Sequence, residues 1–374
     1  MKLQKFLGIN NVADRTRLAD GEMLTATNVD IGSTGNVLSR RGRTLLRAGS
    51  AHSLFESPFG TFAVINSDLV LLNAAGALLR TVYPTLGYTR VWYTLLADGR
   101  VAFSNGYING LATATTTTEW GIKAPESVGY AASGTTMYAL THVRLSDGLE
   151  GPAIYGPPSD LSSLTGLPVR EGFSINIYTA PYGEELFLAG NTTTDTAAIG
   201  SPGVAYLGAG LAEPPVGTQL TTWLSRVLIV EGSTLWATRP FQPEMIDLTR
   251  DFVQMPRDIT LVYGTNSGVF IGTSEGITWL DGTSVAEWKS QPIATGAVTL
   301  GSAVEIPLGY LQKEVRPSGL LQGALCLVGG VVHLIYGNGQ ILALTSHKYK
   351  MDATEVIATA RVRDGVMQYL AAPV

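Results

Sequence analysis

One cysteine, four histidines and a charged fraction of only 15% in 374 residues set the first limits. The single thiol, Cys326, sits in the apolar run 324–328 and has no second cysteine to pair with, so it reads as a buried structural thiol. Without a disulfide framework the chain carries no mark of an oxidising compartment. The histidines, His52, His142, His333 and His347, lack metal-ligand spacing and read as ordinary strand residues. No metal site and no cofactor are expected. Nor is there a run of about 18 apolar residues, so no membrane span is expected. Residues 1–8 lack the apolar core of a signal peptide, and folding in a cytoplasm is the expectation. The net charge of -5 argues against a sequence-reading nucleic-acid binder. It leaves open a surface that lets DNA slide past. The charged share lies below the usual quarter. Two explanations stay open: surface hidden in partners, or a Thr- and Ser-rich β surface that needs fewer charges.

What the chain does have is a recurring tight turn. Short apolar strands meet at Asp98-Gly99, Glu231-Gly232, Ser267-Gly268, Asp281-Gly282, Asn338-Gly339 and Asp364-Gly365. Asp-Gly and Asn-Gly supply the positive φ angles that a two-residue hairpin loop needs. Hairpins repeated along one chain point to a radial or stacked β architecture, of which the β-propeller is the commonest. Long amphipathic helices are nearly absent. The expected fold is all-β: a β-propeller body with an inserted β-sandwich and an extended N-terminal arm.

Four segments follow from this pattern. Residues 1–50 form an arm with little core of its own, in which Arg15, Arg17, Arg40, Arg41, Arg43 and Arg47 concentrate positive charge. Within it, 18–29 is predicted as a short helix and 37–42 as a strand entering the body. Residues 51–124 hold the first propeller blades, with strands at 53–55, 61–65, 69–72, 78–82, 91–95 and 101–104, about two four-stranded units. The alternation changes at Pro125, and residues 125–200 are read as the inserted sandwich. Residues 201–374 return to the propeller, with 240–246 predicted as a loop.

The arginines admit three roles: contact with DNA phosphates, pairing with acids of a neighbouring subunit, or a solvated edge. Arginine suits bidentate pairing with carboxylates. An arm without a core cannot offset its own ordering entropy, so contacts must order it. These six residues are the predicted subunit or adaptor interface. A propeller hydrolase would need paired carboxylates. Candidates are Asp98, Glu231, Asp247, Asp251, Asp258, Glu275 and Asp281, of which Asp98, Glu231 and Asp281 sit beside turn glycines, where acids serve hairpins. No nucleophile elbow, P-loop or repeated Asp-box is present, and no enzyme is expected. Trp92, Trp120, Trp223, Trp236, Trp279 and Trp288 could stack on sugars or pack the core.

Three stretches in this order resemble the podovirus tail nozzle family, also called tail tubular protein B. The first is the opening, with Phe6-Leu7-Gly8-Ile9-Asn10-Asn11, Leu18-Ala19-Asp20-Gly21-Glu22, Ala26-Thr27-Asn28-Val29-Asp30-Ile31 and Arg40-Arg41-Gly42. The second is Tyr138-Ala139-Leu140-Thr141-His142-Val143 with Gly148-Glu150-Gly151-Pro152, similar to the family's fibronectin-like insertion. The third is Trp236-Ala237-Thr238 followed by Tyr263-Gly264-Thr265-Asn266-Ser267-Gly268-Val269-Phe270-Ile271-Gly272-Thr273. The resemblance implies a structural virion protein of the tail, made in the host cytoplasm. It implies a homohexameric ring below the portal and adaptor, neighboured by tail fibres or spikes. Genomic DNA would leave through its axis without sequence recognition. The alternatives are a glycan- or receptor-binding propeller at the tail tip and a propeller glycosidase.

Overall fold

The computed structural model describes residues 6–27, 29–31, 36–40, 42, 44–128, 134–181, 183–307, 309, 322–363 and 366–374. Among these, every regular element is a strand except two 3-10 turns, at Arg15–Arg17 and Val285–Glu287. The body is a β-propeller made of antiparallel meanders. The first sheet pairs Ala51–Ser57, Gly60–Ile65, Asp68–Leu72 and Leu78–Tyr83 in chain order. The second pairs Trp92–Leu95, Val101–Ser104, Asn109–Ala112 and Thr117–Thr118. The third is built on Thr218–Trp223, Arg226–Glu231, Thr234–Arg239 and Gln242–Asp247. Ile259–Thr265, Gly268–Thr273, Gly276–Asp281 and Lys289–Thr295 form the fourth. The fifth holds Val304–Pro307, Gln322–Val328, Val331–Tyr336 and Ile341–Ala343. A terminal hairpin, Val356–Arg363 with Val366–Pro373, ends the chain.

The sheets stack because their strands are apolar on both faces. In the first sheet Phe62, Val64, Leu69 and Leu71 face the second sheet, while Ala63, Ile65, Val70 and Leu72 cluster on the other side. The same logic continues around the body. Ala102, Leu111 and Trp120 meet Leu220, Val227 and Ile229. Leu228, Val230 and Leu235 meet Val262, Val269 and Ile271. Phe270, Ile277 and Trp279 meet Ala324, Cys326 and Val328. Leu325, Leu334 and Tyr336 meet Ala360, Met367 and Tyr369 of the terminal hairpin. Each fully buried Leu, Ile or Phe contributes about 1.5–3 kcal/mol relative to exposure. Cys326 is fully buried among these groups, and burial pushes its thiol up to about 12, as suits an inert core residue.

The two ends of the series meet at Arg90, in the connection between the first and second sheets. Its guanidinium donates to the carbonyl of Val356 at 2.9 Å, pairs with Glu355 at 3.4 Å and lies 4.1 Å over the Trp92 ring. The start of the terminal hairpin is thereby fixed against the first half of the chain.

Between the second and third sheets lies the fibronectin-like sandwich. Its larger sheet runs Glu150–Gly156, Thr136–Arg144, Phe173–Pro181, Phe187–Thr192 in spatial order. Ser163–Thr165 pairs with Thr196–Ala198 as the smaller sheet. Tyr138, Leu140, Ile175 and Ile177 pack onto Leu164 and Leu167 between them.

Several expectations are corrected. The segment 18–29 is not helical: Glu22–Met23 pairs in parallel with Gly8–Ile9, and Val29–Ile31 starts a hairpin. Val37–Ser39 closes that hairpin within the arm rather than entering the body. The stretch 240–246 is largely strand. Pro243 suggested a loop, but it falls in an irregularity between the Thr238–Ile246 and Arg239–Gln242 pairs, where its missing N–H costs no ladder bond. Asn109–Ala112 is a further strand beyond the six expected in this segment, and it carries a glycine, Gly110. Gly is needed there because a Cβ would lie 2.6 Å from the Phe103 ring. Turn residues behaved as expected at Gly99, Gly232 and Gly339, all with positive φ. The first sheet uses Asn66 and Ser67 at φ 49° and 74°, a two-residue turn without glycine. Gly282 instead opens a longer connection through Val285–Glu287. The Asp364-Gly365 turn, Arg41 and Arg43 lie outside the described residues.

Inter-sheet packing sets the stability of this body. Phe270→Ala, at a fully buried position, is expected to cost about 3–5 kcal/mol in denaturant unfolding. Phe241→Ala, at a residue 86% exposed, is expected to stay within about 0.5 kcal/mol of the parent chain.

Candidate functional site: the arm and the junction of insert and propeller

The arm is anchored to its own chain, at the segment leading into the terminal hairpin. Asn11 forms a ladder with it: its N–H donates to Lys348 O at 2.9 Å, its side-chain amide donates to Lys350 O at 2.7 Å, and Lys350 N–H donates back at 2.9 Å. Lys348 Nζ reaches Glu22 at 2.8 Å, and Arg361 reaches Asp30 at 2.9 Å. Phe6 and Asn10 are buried beneath these contacts. Asn10 and Lys348 together hold Glu22, which is only 6% exposed. Lys348 first, then Asn10 and the Ala19 N–H, pull the Glu22 carboxyl down to about 2.

The arm's cations are used differently. Arg15 and Arg17 sit on the 3-10 turn capped by Asp14, whose carboxylate accepts from Thr16 N–H at 2.9 Å. Arg40 follows the arm hairpin and Arg47 lies just before the first sheet. All four are exposed, and among the described residues none of them enters an ion pair. No described hydrogen bond joins the pair at 15 and 17 to Arg40 or Arg47. Beside Arg47, Leu45 and Leu46 are 79% and 69% exposed.

At the junction of insert and propeller a buried carboxylate binds two arginines. Glu244, on the Gln242–Asp247 strand of the third sheet, is 5% exposed. Arg100, from the Asp98-Gly99 turn of the second sheet, approaches it at 2.6 Å. Arg144, at the end of the first strand of the insert, approaches its other oxygen at 2.7 Å. Each arginine has a second acid: Asp98 at 2.7 Å and Asp147 at 2.6 Å. Asp147 and Glu244 hold the Arg144 guanidinium above its ordinary value. Nearby, Trp120 Nε1 donates to Pro243 O at 2.6 Å. Gly121 adopts φ +95° there, and a Cβ would come within 2.7 Å of Glu213. His142 crosses the same joint, its ring nitrogens 3.2 and 3.0 Å from the carbonyls of Lys123 and Pro168. Arg170 pairs with Glu119 at 2.8 Å and lies 4.4 Å over Phe173. A groove of about 670 Å³ between insert and second sheet is lined by these side chains and by Thr117, Thr118 and Leu145.

The Glu244 junction is not legible in the sequence, because its members come from three distant segments and Glu244 falls in a stretch expected as a loop. Most of the acids considered for hydrolysis have other partners. Asp251 pairs with Arg226 at 3.1 Å, Asp247 with Arg250 at 2.9 Å, and Glu275 with Arg257 at 2.8 Å. Glu231 accepts from Trp236 Nε1. Asp258 and Asp281 are exposed. All six tryptophans are buried or half-buried in inter-sheet packing, and the Trp92 face is covered by Arg90. The described residues hold no cluster of metal-ligating side chains and no helix long and apolar enough to cross a membrane.

Two outcomes are expected. Glu244→Ala should cost about 2–4 kcal/mol, below the full cost of breaking a buried pair, because each arginine keeps its aspartate. Amide exchange in Thr136–Arg144 should quicken in step, whereas Arg257→Ala, in an exposed pair, should cost under about 1 kcal/mol. The arm's anchor is expected to depend on pH. Glu22 has a folded value below its unfolded one, so its contribution is complete above about pH 4.3 and is lost as pH falls towards about 2. Limited proteolysis by an acid protease should leave the arm intact near pH 4 and release it near pH 2.

No family model and no curated protein matches the chain. Solved structures resemble it distantly. The extracellular domain of a B. thetaiotaomicron one-component system is 10% identical, with a TM-score of 0.26, covering 87% of this chain and 58% of that one. The WD40 domain of SCAP from fission yeast is 10% identical, with a TM-score of 0.27 and coverage of 87% and 73%. PorZ of the Porphyromonas gingivalis type-IX secretion system is 11% identical, with a TM-score of 0.19 and coverage of 88% and 57%. At these scores none of the three carries an argument about function.

Proposed function

We propose that this chain is a structural subunit of a short-tailed phage virion. It forms the tail nozzle or hub ring that extends the DNA channel below portal and adaptor. The reading starts from the ordered resemblance of its opening, its insert and its second propeller half to that family. The observation that carries it is the use of charge in the arm. Of the arm's four carboxylates, Glu22 and Asp30 anchor it to the chain's own C-terminal segment and Asp14 caps a turn. The exposed arginines are left for another surface. A propeller with a rigidly braced insert supplies a platform, and a ring of such platforms makes a tube. Six copies, the adaptor, tail fibres or spikes and the passing genome are the partners this reading entails, and the virion tail is its location.

Duplex DNA carries about one charge per 1.7 Å, so a channel must hold few phosphates if it is to release all of them. The acidic balance of the chain, net -5, agrees with weak retention.

Negative-stain imaging and mass measurement of the purified assembly test the proposal directly; a sixfold ring with an axial hole is the expected result. Deleting residues 1–48 is expected to leave the far-UV spectrum of a β protein and to abolish assembly. Equal assembly by the truncated chain would remove the docking role. Duplex DNA binding should be weak, independent of sequence and steeply reduced by salt. Tight binding to a defined sequence at physiological salt would overturn the nozzle reading.

A further inference from the structure

Charge is segregated along the chain beyond what the arm alone shows. Residues 1–50 hold eight Lys or Arg against four Asp or Glu, whereas residues 125–200 hold eight Asp or Glu against two Lys or Arg. The tertiary structure sharpens this separation. Both cations of the insert are turned to the propeller: Arg144 to Glu244 and Arg170 to Glu119. Glu126, Glu171, Glu184, Glu185 and Asp195 remain exposed, and among the described residues none of them enters an ion pair. The arm is the converse. Glu22 and Asp30 pair with its own chain's C-terminal segment and Asp14 caps a turn, while Arg15, Arg17, Arg40 and Arg47 are exposed and enter no described ion pair.

Within one chain the two surfaces are anchored at different places. The arm is anchored at Lys348, Lys350 and Arg361, beside the terminal hairpin. The insert is anchored at Glu119 and Glu244, on the second and third sheets. The fourth and fifth sheets lie between these anchors in chain order, and no described ion pair or hydrogen bond links arm to insert.

We infer that the arginine arm of one copy docks on the acidic inserted sandwich of the next copy. This rests on the subunit-docking reading above and names the surface it uses. Complementary potentials steer such contacts and fix their register. The exposed Leu45 and Leu46 beside Arg47, with Leu145 at 59% and Tyr155 at 55% exposed on the insert, supply apolar area that a phosphate backbone would not use. Because arm and insert are different surfaces, each copy can give its arm to one neighbour and receive an arm from another, a heterologous contact; reciprocal exchange would stop at a dimer, which the sedimentation series distinguishes. The heterologous contact propagates head to tail and closes into a ring where the rotation allows.

Charge reversal in the full chain tests this by sedimentation velocity over a concentration series. The arm variant carries Arg15→Glu, Arg17→Glu and Arg47→Glu; the insert variant carries Glu171→Lys, Glu184→Lys and Glu185→Lys. All six positions are exposed, and unchanged circular dichroism and melting verify that each variant folds. Each variant alone should assemble at least about tenfold more weakly than the parent. The chain carrying both sets should recover assembly, as should an equimolar mixture of the two variants. If arm reversal dissociates the assembly while insert reversal does not, the arm docks elsewhere; subunit docking survives and this inference fails. A parent chain that stays monomeric, or two variants that assemble like the parent, overturns both. An arm variant of unchanged mass that loses its retention on duplex DNA overturns the inference in favour of phosphate binding.

Discussion

The inner strands of this chain are apolar on both faces, and that constraint organises the rest. A sheet with one wet face can end a structure, but a sheet such as 51–83, with Phe62 and Val64 on one side and Ala63 and Ile65 on the other, must be covered twice. Each meander therefore recruits the next, and five sheets and a hairpin follow in series. Except where the insert intervenes, the connections are short, and neighbours in sequence become neighbours in space. Arg90 then brings the start of the terminal hairpin back to the connection between the first two sheets.

The insert interrupts this series without loosening it. Burying the Glu244 carboxylate is costly, and two guanidiniums offset the cost only in one geometry. Because Arg100, Arg144 and Glu244 come from three different units, the geometry that satisfies the carboxylate also fixes the orientation of the sandwich. Beside it, Trp120 Nε1 donates to Pro243 O of the third sheet, and the His142 ring approaches the carbonyl of Lys123, just before the insert.

The distribution of charge carries the functional reading. Few charges are available, and the structure spends many of them internally: arm carboxylates on C-terminal cations, insert arginines on propeller carboxylates. What remains exposed is arginine on the arm and carboxylate on the insert. Under the proposed function these are the two surfaces through which copies of the chain would meet.

The sequence by itself determined the local part of this outcome. Turn chemistry is decided within four residues, so Asp98-Gly99, Glu231-Gly232 and Asn338-Gly339 marked hairpins correctly, and with them the all-β class and its repeated sheets. The alternation at 135–143 and 173–178 likewise exposed the insert, and the arginine count exposed the arm. Failures came where a residue answered to a distant neighbour. Gly110, in a strand the sequence pattern did not mark, makes room for Phe103, and Pro243, expected in a loop, rests in an irregular strand pair. The tertiary structure alone decided the contacts that give the molecule its surfaces. Arg100 and Glu244 are 144 residues apart, and Asp30 and Arg361 are 331 apart. No local pattern encodes such pairs, because their partners are chosen by which apolar faces stack and only then by which charges that stacking brings within reach.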